Sequence, residues 1–81
     1  MKQRAFPGYV AWSETRLNGD HALAFVAVQP QAMDAEPLFH LVYGGVQFSR
    51  LSDAIQAAED ALSRLLHIDE FGGPVFSSPD C

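Results

Sequence analysis

Cysteine is almost absent from this sequence, and long apolar runs are missing. The single cysteine, Cys81, has no partner for a disulfide within the chain, so a disulfide-stapled secreted domain is excluded. No stretch approaches the roughly 20 consecutive apolar residues that a membrane-spanning helix needs. The N-terminal residues lack the apolar segment of a secretory signal peptide. These absences predict a cytoplasmic protein.

Basic residues are also few. Five lysines and arginines stand against ten aspartates and glutamates, which gives a net charge of −5. The first 50 residues are neutral, so the whole excess lies in residues 51–81, where Arg64 is the only basic residue. Binding to nucleic-acid phosphates or to anionic lipids depends on Lys and Arg. We therefore expect no direct nucleic-acid binding and no membrane binding.

Motifs that specify a reaction, a metal or a nucleotide are missing. None of the three histidines, His21, His40 and His67, has a second His or Cys at metal-ligand spacing. The Gly pairs at 44–45 and 72–73 are not followed by the Gly-Lys-Ser/Thr of a phosphate-binding loop, and no Gly-x-Ser-x-Gly elbow occurs. The sequence therefore predicts no enzyme activity, no metal and no cofactor.

What is present predicts a single small α+β domain spanning residues 1–81. Strand-forming residues fill two segments on either side of Asn18-Gly19, which is a strong hairpin signal because both residues tolerate positive φ. Two shorter apolar segments follow, on either side of Gly44-Gly45. We expect an antiparallel, three- to four-stranded meander followed by one amphipathic helix packed on one face. The predicted strands are residues 8–16, 21–29, 38–43 and 46–48.

A helix is predicted for residues 51–67, followed by a loose tail at 70–81. Ser49 or Ser52 is expected to cap its first turn, and Asp60 and Arg64 to form an i,i+4 pair. Arg64 and His67 should lie in its last turn, where the helix dipole favours a cation. The apolar stripe that should face the sheet consists of Leu51, Ala54, Ile55, Ala58, Leu62 and Leu65.

Both faces of the second predicted strand are apolar, and one helix covers only one face of a sheet. Leu23, Phe25 and Ala27 point to one face, and the other carries Ala24, Val26 and Val28, which we take as the possible association face. Three covers for the exposed face stay open: a second copy of the chain, a different protein, or the tail folding back. The tail would use Ile68, Phe71, Val75 and Phe76.

The charge layout predicts a small non-enzymatic interaction protein whose acidic segment meets a basic surface on a protein partner. One version is an inhibitor that occupies a basic nucleic-acid-binding surface, since short length and freedom from catalytic motifs suit phage or mobile-element inhibitors. The alternative is a homodimeric regulatory or structural subunit that associates through an apolar sheet face. The predicted partner-binding residues are Asp53, Glu59, Asp60, Asp69 and Glu70.

Overall fold

The computed structural model describes residues 3–31 and 35–77. Four antiparallel strands form a meander in the order β1-β2-β3-β4, and one helix and a two-stranded hairpin, β5–β6, follow. This confirms the predicted α+β meander-then-helix fold. None of the described helices is long and apolar enough to cross a bilayer. The elements are β1 (Gln3–Phe6), β2 (Tyr9–Asn18), β3 (His21–Pro30), β4 (Leu38–Leu41), α1 (Leu51–Ser63), β5 (Leu65–Ile68) and β6 (Pro74–Phe76).

The β2–β3 hairpin is the centre of the sheet. Its two strands pair over ten residues each, from Tyr9 opposite Pro30 to Asn18 opposite His21, and Gly19 takes the positive φ of 69° that the turn requires. The predicted hairpin is therefore confirmed. Strand β1 was not predicted; it pairs with β2 through a tight turn at Pro7-Gly8.

The predicted third and fourth strands are shorter than expected. Strand β4 ends at Leu41, and Tyr43–Gly45 form a 3₁₀ turn instead of continuing the strand. Of the fourth strand, only a single bridge remains, in which Phe48 and Ala22 exchange backbone hydrogen bonds of 2.8 and 2.9 Å. The bridge still fixes the chain immediately before α1 against the sheet.

The core lies between α1 and one face of the sheet. Alanines at three positions of α1 bring its backbone close to the strands, and Leu62 fills the space near the helix end. Leu51 and Ile55 were expected in this core but are 44% and 42% exposed, because they lie at the margin of the stripe that faces the sheet. The buried cluster consists of Ala11, Ala24, Val26, Val28, Val42, Ala58, Ala61, Leu62 and Leu65.

The ends of α1 differ from the prediction. Arg50 occupies the N-cap position without a side-chain hydrogen bond, so the expected serine cap is wrong. The helix ends at Ser63, with Arg64 as its C-cap, and the chain turns directly into β5. His67 is consequently a strand residue. The Asp60–Arg64 pair is confirmed, with Arg64 Nε 3.1 Å from Asp60 Oδ2.

The β5–β6 hairpin covers the same sheet face as α1. Leu65 is buried, and Ile68 and Phe76 pack against the core cluster, whereas Phe71 is 86% exposed at the hairpin turn. The expectation of a loose tail is thus wrong for β6, and residues 78–81 lie outside the described residues. The tail was one of the three covers considered for the second sheet face, and its residues Ile68 and Phe76 lie on the first.

The predicted association face is also wrong. Ala24, Val26 and Val28 are only 0–1% exposed, because α1 packs directly on them. Their small side chains fit the alanine-rich side of α1, so this is the face that the helix covers. The opposite face of the sheet carries the larger side chains of β3, Leu23 and Phe25, and both stay partly exposed.

Arg4 joins β1 to the end of α1. Its Nη1 atom donates hydrogen bonds to the carbonyl oxygens of Leu62, at 2.9 Å, and Leu65, at 2.7 Å. These bonds satisfy one acceptor in the last turn of α1 and one at the start of β5, and a positive charge is favoured beside a helix C-terminus. We expect Arg4→Ala to lower the free energy of unfolding by about 1.5–3 kcal/mol, the usual range for hydrogen bonds to a charged group.

Denaturant melts measure this loss, with Arg50→Ala as the control because Arg50 is exposed and caps α1 through its backbone alone. The control should lose less than about 0.5 kcal/mol. Equal losses in the two variants would show that the bonds from Arg4 contribute nothing specific.

Candidate functional site

An open groove runs along α1 beside the connection from β4. Its volume is about 500 Å³. Apolar side chains from the connection form one wall, and the exposed side of α1 forms the other. We call this feature the helix groove; it is lined by Tyr43, Val46, Phe48, Asp53, Gln56, Ala57 and Asp60.

The connection is held in place at both of its ends. Tyr43 has a positive φ of 57°, and Gly44 continues the turn at 62°, which directs the chain back toward α1. A left-handed conformation costs a non-glycine residue about 1–2 kcal/mol. The hydroxyl of Tyr43 donates a hydrogen bond to the carboxylate of Asp60, and the Phe48–Ala22 bridge fixes the other end. These contacts keep the wall of the helix groove fixed beside α1.

The two carboxylates of the helix groove differ in their surroundings. Asp60 accepts hydrogen bonds from Tyr43 and from Arg64 Nε, and the bond from Tyr43 is the main reason that the pKa of Asp60 lies below its usual value. Asp60 is therefore ionised at neutral pH but already engaged. Asp53 lies seven residues before Asp60, in the first turn of α1. It is exposed and has no ion-pair partner among residues 3–31 and 35–77.

The other three predicted partner-binding residues lie elsewhere. Glu59 lines a separate depression of about 230 Å³ on the opposite side of α1, beside Thr15. Asp69 accepts backbone hydrogen bonds from Phe71, at 2.9 Å, and Gly73, at 2.8 Å, so it shapes the β5–β6 turn. Glu70 is exposed at that turn. The acidic segment is thus divided among three places, and only Asp53 and Asp60 share a groove.

Sequence reasoning missed the apolar wall formed by Tyr43, Val46 and Phe48. These residues come from the connection, for which the sequence predicts a strand rather than a wall beside the helix. The signal that was available is the apolar side chains on either side of Gly44-Gly45, immediately before a predicted helix. Val46 is 52% exposed, so this wall presents apolar surface to the groove.

The histidines do not assemble into a metal centre. Within the described part of the chain, no three metal-ligating side chains come together. Partial burial lowers the pKa of His40 below its ordinary value, and the negative charge of Asp69 opposes that shift. His21 Nδ1 lies 3.1 Å from Asp20 Oδ1 at the hairpin end. Neither histidine lines the helix groove.

Comparison of the chain with models of known protein families, with curated proteins and with solved structures gave no significant match.

Proposed function

We propose that this chain is a small, acidic, non-enzymatic interaction protein, and that its helix groove holds a basic, partly apolar segment of a protein partner. The observation that carries the proposal is the groove itself. Apolar side chains line one wall, and two carboxylates seven residues apart, Asp53 and Asp60, lie along the other. A segment with apolar and cationic side chains matches both walls.

The overall charge supports a basic partner. The net charge is −5, and the excess acid lies entirely in the part of the sequence that begins with α1. Such a field raises the association rate with a positively charged surface and disfavours negatively charged ones. A nucleic-acid-binding protein has a surface of this kind, and the chain would inhibit it by occupying that surface. We propose that the chain binds this partner in the cytoplasm.

A homodimeric regulatory or structural subunit is the second candidate. It is favoured by a different observation, the partly exposed large side chains on the sheet face that α1 leaves uncovered. That face is separate from the helix groove, so the two candidates can be tested independently.

The groove is tested with a labelled amphipathic peptide whose charged residues are all arginine, titrated by fluorescence polarisation. We expect binding that weakens between roughly 50 and 300 mM salt, because exposed charges are screened over about 8 Å at physiological ionic strength. Asp53→Lys should weaken binding about fivefold or more without unfolding the domain, since Asp53 is exposed. Amide shifts should move at Val46, Phe48, Gln56 and Ala57.

Glu70→Lys is the matched control, because it makes the same charge change at an exposed site outside the groove. Asp60 is unsuitable for charge reversal, since its loss would also release Tyr43 and Arg64. If Asp53→Lys and Glu70→Lys weaken binding equally, only the net charge matters and the groove is not the site. An all-glutamate peptide that binds as well would also contradict the proposal.

A further inference from the structure

One face of the four-stranded sheet is covered by no described element. The strand register places Trp12, Glu14, Arg16, Phe25, Phe39 and Leu41 on it, and we call this the open sheet face. Phe39 is 40% exposed and Leu41 is 48% exposed, while Trp12 and Phe25 are partly exposed. Both α1 and the β5–β6 hairpin pack on the opposite face. An apolar patch that spans several strands is unusual on a protein that acts alone.

The open sheet face carries one charge of each sign. Glu14 and Arg16 lie two residues apart on β2 and therefore point the same way. Glu14 accepts a hydrogen bond of 2.8 Å from Trp12 Nε1, and the guanidinium of Arg16 lies 4.5 Å from the ring centre of Phe39. Among the described residues, neither charge has an ion-pair partner. The face thus carries, within an aromatic surface, one anion and one cation that are available for ion pairs.

We propose that a second copy of this chain covers the open sheet face, with the two sheets packed face to face about a two-fold axis. In a two-fold interface, residue i contacts j and j contacts i. The axis lies between the two sheets and runs across the direction of β2, midway between positions 14 and 16. It therefore sets Glu14 of each protomer opposite Arg16 of the other. The same surface therefore supplies both partners of two ion pairs, and the aromatic side chains of the two sheets meet around them. This inference rests on the second candidate function, the homodimer, and does not depend on the helix groove.

The size of the face is suited to a dimer that dissociates on dilution. With strands about 4.8 Å apart and about 3.3 Å per residue, the sheet presents roughly 450 Å² of projected area per protomer. Two protomers together present roughly 900 Å² of projected area, a lower bound on the accessible surface that they bury. This is near the ~1,000 Å² of accessible surface that a specific interface needs and well below that of obligate dimers. We therefore expect monomer and dimer to exchange with concentration.

Sedimentation equilibrium of the wild-type protein tests the association. The mass should rise from 8.9 kDa toward twice that value as the concentration increases from low micromolar to near-millimolar. Trp12 is the only tryptophan, and it lies on the open sheet face. Its emission should therefore shift to the blue, and its quenching by acrylamide should fall, over the same concentration range. A constant mass of one chain would overturn the proposal.

Charge exchange tests the face and the symmetry. Glu14→Arg alone should set arginine against the partner's Arg16, and Arg16→Glu alone should set glutamate against the partner's Glu14. Each variant should raise the dimer Kd at least about tenfold, because like charges then meet twice. An equimolar mixture of the two variants should dimerise again, since one protomer carries two arginines at these positions and the other two glutamates. The double variant in one chain should also recover.

Glu70→Arg and Arg50→Glu are the controls, because each makes the same charge change at an exposed site away from the open sheet face. Both should dimerise as the wild type does. A wild-type dimer that persists in both single variants would overturn the proposed face, as would a mixture that fails to recover. Circular dichroism checks that each variant is folded. If a variant unfolds, the concentration dependence of Trp12 emission in the wild type still decides whether this face becomes buried.

Discussion

Replacing Val26 by glutamate is expected to unfold the protein. Val26 is fully buried against α1 in a cluster of apolar side chains. Its cross-strand neighbours on that face are Ser13 and His40, and partial burial lowers the pKa of His40, so neither supplies a cation at pH 7. Burying an unpaired ionised group costs several kcal/mol even after the structure relaxes. A chain of this length has a total stability of only about 4–12 kcal/mol, so we expect a loss of about 4 kcal/mol or more. Circular dichroism and the dispersion of amide signals measure it.

Leu23→Glu is the matched control on the same strand. Leu23 points to the opposite face, is partly exposed, and lies directly across from Arg16, which would attract the new carboxylate. We expect this variant to stay folded. If Val26→Glu kept a wild-type spectrum while Leu23→Glu unfolded, the helix would have to cover the sheet face that carries Leu23 instead of the face that carries Val26.

The contrast between these positions shows what strand periodicity could and could not predict. Alternation separates Ala24, Val26 and Val28 from Leu23 and Phe25, and the structure confirms that division. The hydrophobicity of the residues does not predict which set faces the helix, because both sets are apolar. The choice depends on shape: the alanines of α1 fit closely against small side chains, and larger ones would hold the helix further from the sheet.

The short strands were harder to predict for local reasons. Strand β1 contains Gln3 and Arg4, which are not strand-forming types, and its pairing depends on the turn that follows it. Strand β5 continues the spacing of the apolar helix stripe without a Gly or Pro before it, so the sequence carries no local signal for the end of α1 at Ser63. The tertiary contacts at that boundary include the hydrogen bonds from Arg4 to Leu62, before it, and to Leu65, after it.

The candidate site was predictable only in part. The spacing of Asp53 and Asp60 places both on one side of a helix, and the structure brings both to the helix groove. Their difference was not predictable, because Tyr43 reaches Asp60 from a turn that the sequence suggested would be a strand. Asp69 and Glu70, which we expected to extend the acidic surface past the helix end, lie instead at the β5–β6 turn, since the chain leaves α1 at Ser63 and forms β5.

A pair of truncations in α1 tests the packing of the helix itself. Leu62 is 1% exposed and belongs to the buried cluster, so Leu62→Ala should lower the free energy of unfolding by about 2–5 kcal/mol. Ile55 is 42% exposed and lines the depression that contains Glu59, so Ile55→Ala should lose less than about 1 kcal/mol. The better helix propensity of alanine offsets part of that small loss.

Both variants remove aliphatic carbons from the same helix without adding a polar group, so the difference between them isolates burial. Urea melts give the two free energies, provided that the slope of the transition stays equal to that of the wild type. The expected gap is at least about 1 kcal/mol in favour of the Ile55 variant. Equal losses would mean that α1 is rotated about its axis so that Ile55 faces the sheet. That rotation would also move Asp53 and Gln56 relative to Tyr43 and Phe48, and the helix groove would no longer have the walls described here.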